Sequence, residues 1–175
     1  DPGSVELWMG TLSKTLSACG GYVAGSTALT EYLKATAPGF VFSVGLAAPL
    51  AAAATAALEV LEAEPERVAR LAENGARLLA AAKAAELDVG TAMGSAVMPV
   101  IVGDSARAAM LADAVFKAGV NALPITFPAV PEKQARLRFF LTSDHTAEQI
   151  DRAVEVTAEQ LARIRARPLP FGAGG

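Results

Sequence analysis

The order of strand-like and helix-like segments most constrains the fold of this chain, and that order changes near Leu87. Before Leu87 the apolar residues follow mainly helical spacing. After it come a buried strand at 96–102, a helix that ends at Gly119, a proline-rich loop and a strand at 136–142. Strands that alternate with helices are typical of a layered domain. The sequence therefore predicts an α/β fold whose second, smaller part begins near Leu87.

Capping residues mark the helices of this second part. Asp104 or Ser105 can cap the first of them. Thr146 and Gln149 match a capping box for the last one, which we expect to run to about Arg165.

The strand at 136–142 alternates between two faces. Leu137, Phe139 and Leu141 point one way, and Arg136, Arg138 and Phe140 point the other. The alternation thus predicts one apolar face and one face that carries both arginines.

The first part of the chain opens with a strand at 5–11, which runs into the polar, glycine-bearing turn SKTLSACGG. Such a placement suits a reactive side chain, since loops on a rigid scaffold often carry function. Ser26 or Thr27 can cap a helix that Pro38 stops, and residues 40–43 are expected to be extended.

An alanine-rich apolar run at 44–61 predicts a further helix, with Pro49 in its first turn. The run is marginal for crossing a bilayer, so we expect a buried helix of a soluble protein without a membrane span. Pro65 starts another helix. In it a stripe of apolar residues at helical spacing is expected to face a core, formed by Val68, Leu71, Leu78 and Leu79.

Composition excludes several functions. Hydrophobic residues make up 53% of the 175, the net charge is −3, and the basic residues form no blocks, so nucleic acid is not an expected partner. The single cysteine, Cys19, rules out an intramolecular disulfide or a multi-cysteine metal site. No signal peptide is visible, and we expect a cytoplasmic protein without a metal.

Three segments carry a resemblance to one family. GTLSKTLSACGGYVAG resembles the cofactor-lysine motif of the α-oxoamine synthases, which are fold-type I pyridoxal-phosphate enzymes. APGFVFSVGLAAP resembles the family's stretch that reaches into the neighbouring subunit. PVIVGDS, followed by PAVPEKQARLRFFLTSDHTAEQID, resembles its C-terminal domain. The resemblance covers nearly the whole chain, with its motifs in the family's order.

The resemblance implies a domain organisation. Residues 1–62 would be the C-terminal part of the large cofactor domain, 63–86 a connecting helix, and 87–167 the small α/β C-terminal domain. Residues 168–175 are expected to form a flexible tail, which would permit fusion to a larger synthase.

The resemblance also implies a reaction, with Lys14 at its centre. A lysine amine forms a Schiff base with the aldehyde of pyridoxal phosphate, and the cofactor ring then acts as an electron sink. An amino acid would condense with an acyl thioester, either acyl-CoA or an acyl-carrier protein, and would lose its carboxylate to give an α-oxoamine.

Hydroxyl groups would hold the cofactor phosphate. By resemblance, Thr11 hydrogen-bonds the phosphate and Ser13 assists. Ser43 matches a residue that contacts the phosphate in the partner subunit, which implies a homodimer with a shared active site. The family usually has a serine–threonine pair there, whereas Val44 follows Ser43 in this chain, so one phosphate contact is missing.

Arg138 matches the family residue that binds the carboxylate of the amino-acid substrate, and a guanidinium can grip two oxygens at once. Alternation places Arg136 on the same face, so the residues alone leave the choice between the two open. His145 is interpreted as structural, and Cys19 receives no role.

Two other functions stay open at this stage. One is an aminotransferase, which would retain the carboxylate, and the other is a non-catalytic dimerisation subunit, against which the presence of Lys14 argues. In the family, the phosphate loop, the residue stacked on the ring and the aspartate paired with the ring nitrogen all precede the lysine motif. We therefore expect this chain alone to bind cofactor poorly and to be inactive.

Overall fold

The computed structural model describes residues 1–166. It divides into two compact units, of which the first is Asp1–Pro65 and the second begins at Glu66. The flexible tail predicted at 168–175 lies outside the described residues, and the predicted domain boundaries stay a prediction. None of the helices in the described part of the chain is long and apolar enough to cross a membrane.

The first unit contains one β-hairpin and three helices. After a short 3-10 turn at Pro2–Ser4 come strands β1 (Leu7–Thr11) and β2 (Gly21–Gly25), and then helices α1 (Thr27–Thr36), α2 (Pro38–Val41) and α3 (Ala48–Ala63). β1 and β2 pair antiparallel, with Thr11 opposite Gly21, so the segment between them forms the hairpin loop.

The sequence predicted β1 and the start of α1 correctly. Ser26 is the cap of α1, because its side chain accepts a hydrogen bond from the Leu29 amide at 3.3 Å. The extended conformation predicted for 40–43 is wrong. Pro38 fits the first position of the short helix α2, where a missing amide hydrogen costs nothing, so Phe40 and Val41 are helical. Phe42, with φ −100° and ψ 17°, is not extended either, and the Ser43 amide donates to Phe40 O in a turn.

Helix α3 has Pro49 in its first turn, as predicted, but the expectation that it is buried is wrong for this chain. Among the described residues of α3, Ala54 alone is buried. It packs with Leu12 and Ala18 of the hairpin loop, and Leu50 is partly buried beside them. The helix touches this one small cluster of the first unit, so its other faces stay open to solvent.

The second unit is a three-stranded sheet with three helices. Its elements are α4 (Glu66–Ala84), β3 (Val97–Gly103), α5 (Ser105–Lys117), β4 (Leu123–Ile125), β5 (Ala135–Phe140) and α6 (Ala147–Arg165). The strand order is β3-β5-β4, and both pairings are antiparallel. The α/β class predicted from the sequence is confirmed.

The core of the second unit lies between one face of this sheet and the helices. Its largest fully buried side chains are Leu78, Met98, Val100, Leu111, Val115, Leu137, Ile150, Thr157 and Leu161. Burial alternates along β5, where Leu137 and Phe139 face the core while Arg136, Arg138 and Phe140 do not, as the alternation predicted. The capping box of Thr146 and Gln149 is present, and α6 ends at Arg165, also as predicted.

Two expectations for this unit need correction. The stripe on α4 is buried only towards its C-terminal end, since Leu78 is buried whereas Val68 is 55% exposed. The proline-rich loop contains the short strand β4, in which Leu123 lies opposite Arg138 and Ile125 opposite Arg136. Three residues are too few for a pattern of period two to appear.

Helices α4 and α6 are joined by an ion pair at the surface. Arg77 Nε donates to Asp151 Oδ1 at 2.9 Å, and a second guanidinium nitrogen donates to Oδ2. This bidentate bond, with the charge of Arg77 as a smaller cause, lowers the pKa of Asp151 below its ordinary value. The pKa of Glu148 is also lowered, first by a hydrogen bond from its own amide and then by Thr146.

Candidate active site

The hairpin loop that carries Lys14 is anchored at both ends. Leu12 donates its amide hydrogen to Gly20 O at 3.0 Å, and Ala18 donates to Leu12 O at 2.9 Å. Leu12 and Ala18 are the buried members of the cluster with Ala54 of α3. The apolar residues of the loop thus fix its base, while the polar residues between them stay at the surface.

Lys14 lies at the tip of this loop. Its carbonyl accepts a hydrogen bond from the Ser17 amide at 3.0 Å, and Ser17 adopts a left-handed conformation with φ 51°. A tight turn of this kind brings the chain back to β2 within a few residues. The Lys14 side chain is exposed, and within residues 1–166 no hydrogen bond or ion pair holds its amine.

Thr11 and Ser13 are brought together just before the lysine. Their hydroxyl oxygens lie 2.8 Å apart, and the Ser13 amide donates to Thr11 Oγ1 at 3.2 Å. Thr11 also donates to Gly20 O at 3.3 Å. Because both residues are exposed, the hydroxyl pair is open to a polar ligand.

Ser43 lies in a separate segment of the first unit, between α2 and α3. Its hydroxyl donates to Phe40 O at 3.2 Å and accepts from the Gly45 amide at 3.3 Å. Phe42 is 87% exposed and Val44 is fully exposed on either side of it. The structure records no hydrogen bond between Ser43 and the Thr11–Ser13 pair among the described residues.

Arg138 belongs to the second unit, at the centre of β5. It lies between Pro99 of β3 and Leu123 of β4, on the sheet face away from the core. No hydrogen bond or ion pair of its side chain is found within residues 1–166. Arg136 differs, because its Nε donates to Gln134 O at 2.9 Å and its Nη2 donates to Gln134 Oε1 at 3.3 Å. The two arginines, equivalent in the sequence pattern, are therefore distinguished by their contacts.

The sequence did not reveal an apolar groove in the first unit. It has a volume of about 500 Å³ and lies along the hairpin, α1 and α2, with Met9, Tyr22, Leu33 and Phe40 in its lining. The ring of Tyr22 covers Gly10, where a Cβ would come within 2.4 Å of the ring. The aromatic residues Tyr22 and Phe40 were the available signal in the sequence, but the positions of their side chains depend on tertiary structure.

His145 and Cys19 are the two residues to which the sequence analysis gave no catalytic role. His145 Nδ1 accepts a hydrogen bond from the Thr142 amide at 2.9 Å, so the imidazole closes the turn before α6. Its backbone carbonyl accepts from Asn74 Nδ2 at 3.0 Å, which ties the turn to α4. These contacts are structural, in line with the interpretation from the sequence. Cys19 is exposed with a free thiol.

Comparison with protein families gives a match over most of the chain. The family described as "Aminotransferase class I and II" matches residues 2–156. An 8-amino-7-oxononanoate synthase of Symbiobacterium thermophilum is 40% identical over 157 residues, which are 90% of this chain and 40% of that protein. A 4-hydroxy-2,2'-bipyrrole-5-methanol synthase of Serratia is 38% identical over 88% of this chain and 23% of its own length.

Solved structures of related enzymes also match this chain. A serine palmitoyltransferase from S. paucimobilis, with bound PLP and myriocin, superimposes with a TM-score of 0.86 at 25% identity. The match covers 94% of this chain and 42% of that chain. An 8-amino-7-oxononanoate synthase from Francisella tularensis gives a TM-score of 0.77 at 25% identity, over 90% of this chain and 46% of that one. The chain thus spans about two fifths of the length of the 8-amino-7-oxononanoate synthases and the palmitoyltransferase, and less than a quarter of the Serratia protein.

Proposed function

Because the chain belongs to the aminotransferase class I and II family, we propose that it is the cofactor-lysine and C-terminal portion of a pyridoxal-phosphate enzyme that condenses an amino acid with an acyl thioester. The resemblance to α-oxoamine synthases predicted from the sequence is confirmed by the relatives named above. The condensation itself, its acyl donor and the cofactor of the whole protein are parts of the proposal.

The observation that carries the proposal is the position of Lys14. Lys14 belongs to an anchored loop, its amine has no partner among the described residues, and it directly follows Ser13, whose hydroxyl is paired with that of Thr11. A primary amine of this kind can attach to the aldehyde of the cofactor. The hydroxyl pair can rotate to donate to a phosphate.

The residues present fit pyridoxal phosphate. Lys14 would hold its aldehyde carbon, and Thr11 and Ser13 would hold its phosphate. When bound, the cofactor supplies an electron sink for the charge left at the amino-acid Cα. The amine of Lys14 would then be the general base for the Cα proton of the amino acid.

Arg138 would orient the amino acid. Its guanidinium is unpaired among the described residues, on the sheet face that also carries Arg136, and Pro99 and Leu123 lie opposite it on the neighbouring strands. A carboxylate placed against it makes two charge-assisted hydrogen bonds. Arg136 is engaged by Gln134 and is therefore the weaker candidate.

We propose further that the whole protein is a homodimer in which the segment around Ser43 contacts the partner subunit. Phe42 and Val44 support this, because exposing large apolar side chains to water is unfavourable. Ser43 would then bring its hydroxyl to the phosphate held by the partner. Val44 supplies no second hydroxyl, so this phosphate contact rests on Ser43.

Carbon labelling separates the proposal from the nearest alternative. The full-length protein is incubated with an amino acid labelled at its carboxyl carbon, with and without an acyl-CoA. We expect labelled carbon dioxide only when the acyl donor is present. An aminotransferase would instead transfer the amino group to an added keto-acid acceptor and retain the label in the keto acid formed from the amino acid. That result would overturn the proposal.

Acyl-carrier protein as the donor is tested in the same assay. The carrier-bound thioester replaces acyl-CoA at equal concentration, and the ratio of the two kcat/KM values decides which donor the enzyme uses. The Lys14→Ala variant serves as the control, since it removes the proposed base and leaves the rest of the loop in place.

A further inference from the structure

A second cavity lies in the second unit, outside the site proposed for the cofactor. Its volume is about 290 Å³, near the lower end of the usual range for small-molecule sites. It opens where the end of α5, the end of β5 and the first turns of α6 meet. Buried apolar side chains form part of its lining, from Leu78, Phe139 and Ile150.

Besides Asn121, whose amide can both donate and accept, three polar side chains of the lining offer hydrogen-bond donors. His145 Nδ1 accepts from the Thr142 amide, so the neutral ring carries its proton on Nε2. Gln149 uses its Oε1 to accept from the Thr146 amide at 2.9 Å, which leaves its NH₂ group free to donate. Arg152 has one weak contact, to Ala118 O at 3.5 Å, and retains most of its five donors.

Two aspartates that neighbour lining residues in the sequence are held by arginines outside the cavity. Asp144 pairs with Arg67 at 3.5 Å, and Asp151 is held by Arg77 of α4. Among the described residues that line the cavity, none is an aspartate or a glutamate. The cavity therefore combines an apolar floor with donors and one positive charge.

We propose that this cavity binds a small organic anion, a carboxylate on an apolar body of a few carbons. The carboxylate would lie against Arg152 and accept from Gln149 and from His145 Nε2. The apolar body would cover Leu78 and Ile150. This site is independent of the proposed function, because Arg138 and Lys14 take no part in it.

Hexanoate is a suitable probe. It is titrated calorimetrically into the full-length protein carrying Arg138→Gln, which removes the guanidinium proposed to bind a carboxylate in the active site. We expect one hexanoate bound per subunit. Adding Arg152→Gln should weaken that binding about tenfold, since a charge-assisted bond is lost. Adding Arg163→Gln, on the same helix but outside this cavity, should leave it unchanged.

Two further probes test the chemistry of the ligand. Hexan-1-ol lacks the charge and inorganic phosphate lacks the apolar body, so each should bind at least tenfold more weakly than hexanoate. The proposal is overturned if hexanoate does not bind, if Arg152→Gln leaves its affinity unchanged, or if either of these probes binds as tightly. The proposed anion site is supported if hexanoate binds in the Arg138→Gln background and binds about tenfold more weakly once Arg152→Gln is added, whether or not the protein is enzymatically active.

Discussion

Thr11 Oγ1 lies 2.8 Å from Ser13 Oγ, at the point where β1 passes into the loop that carries Lys14. Thr11 is held in register by the hairpin, opposite Gly21, and its hydroxyl also reaches Gly20 O. The hairpin pairing therefore sets the position of the hydroxyl pair relative to the backbone of Lys14.

Thr11→Val keeps the shape of the side chain and removes its hydroxyl. In the full-length protein we expect about tenfold weaker affinity for pyridoxal phosphate, because a hydrogen bond to a charged phosphate is lost. Ser13→Ala should have a smaller effect, as the resemblance gives it the assisting role. Cofactor affinity is measured by titration of the apoenzyme followed by absorbance.

Thr15→Val is the matched control for that experiment. Thr15 is exposed on the same loop, and its hydroxyl makes no hydrogen bond among the described residues. Equal losses of affinity in Thr11→Val and Thr15→Val would mean that the loop tolerates no valine, and would contradict a specific role for Thr11.

Arg138→Lys and Arg136→Lys form a second matched pair. Lysine keeps the charge but cannot make the two-point grip. We expect Arg138→Lys to raise the KM for the amino acid about 10- to 100-fold, whereas Arg136→Lys, which alters only a contact with Gln134, should change it less than about twofold. A larger effect of Arg136→Lys on KM would reverse the assignment.

Much of the second unit could be predicted from the sequence because its signals are local. The capping box of Thr146 and Gln149 depends on residues three apart, and the alternation of β5 on neighbouring side chains. The choice between Arg136 and Arg138 could not be made in this way. It depends on a hydrogen bond from Arg136 to Gln134, which the period of a strand does not specify.

The first unit was harder to predict because its apolar residues depend on what packs against them. The run that forms α3 has the composition of a buried helix, yet among the described residues of this helix only Ala54 is buried. β2, at Gly21–Gly25, was missed because two glycines flank its three apolar residues, and glycine indicates a turn more strongly than a strand. Its pairing with β1 outweighs that local tendency.

Gly75 of α4 packs directly against the backbone of the segment before β3. A Cβ at this position would lie 2.0 Å from Gly94 O and 3.1 Å from Ser95 O. Both are backbone atoms, so Gly75→Ala should lower the free energy of unfolding by about 3 kcal/mol. Urea denaturation of the full-length protein measures the change.

Gly39→Ala is the control for that prediction. Gly39 lies in α2, and no atom outside its immediate neighbours comes within 4 Å of a Cβ built there. Alanine is favoured over glycine in a helix by roughly 0.5–1 kcal/mol, so this change should be neutral or stabilising. If Gly75→Ala is tolerated as well as Gly39→Ala, then Gly75 does not pack closely against the backbone of Gly94 and Ser95.

The Arg77–Asp151 pair predicts how stability depends on pH. Because the pKa of Asp151 is lowered in the folded state, its contribution is present above the ordinary value of 3.8 and is lost as pH falls through the lower folded value. The contribution of Arg77, whose pKa is raised, would be lost only in strong alkali. Wild type should therefore exceed Asp151→Asn in unfolding free energy at pH 6, and the difference should shrink below pH 3.8. A difference that stays constant down to acid pH would show that the charge of Asp151 is not involved.

The proposed reaction depends on a covalent bond between the Lys14 amine and the aldehyde of pyridoxal phosphate. The most direct measurement is reduction of the full-length protein with borohydride in the presence of the cofactor, followed by proteolysis and mass spectrometry of the peptides. We predict that the reduced pyridoxyl group is found on Lys14, and that Lys14→Ala abolishes the labelling. A label on another lysine, or no label at saturating cofactor, would contradict the assignment of this chain to a pyridoxal-phosphate enzyme acting through Lys14.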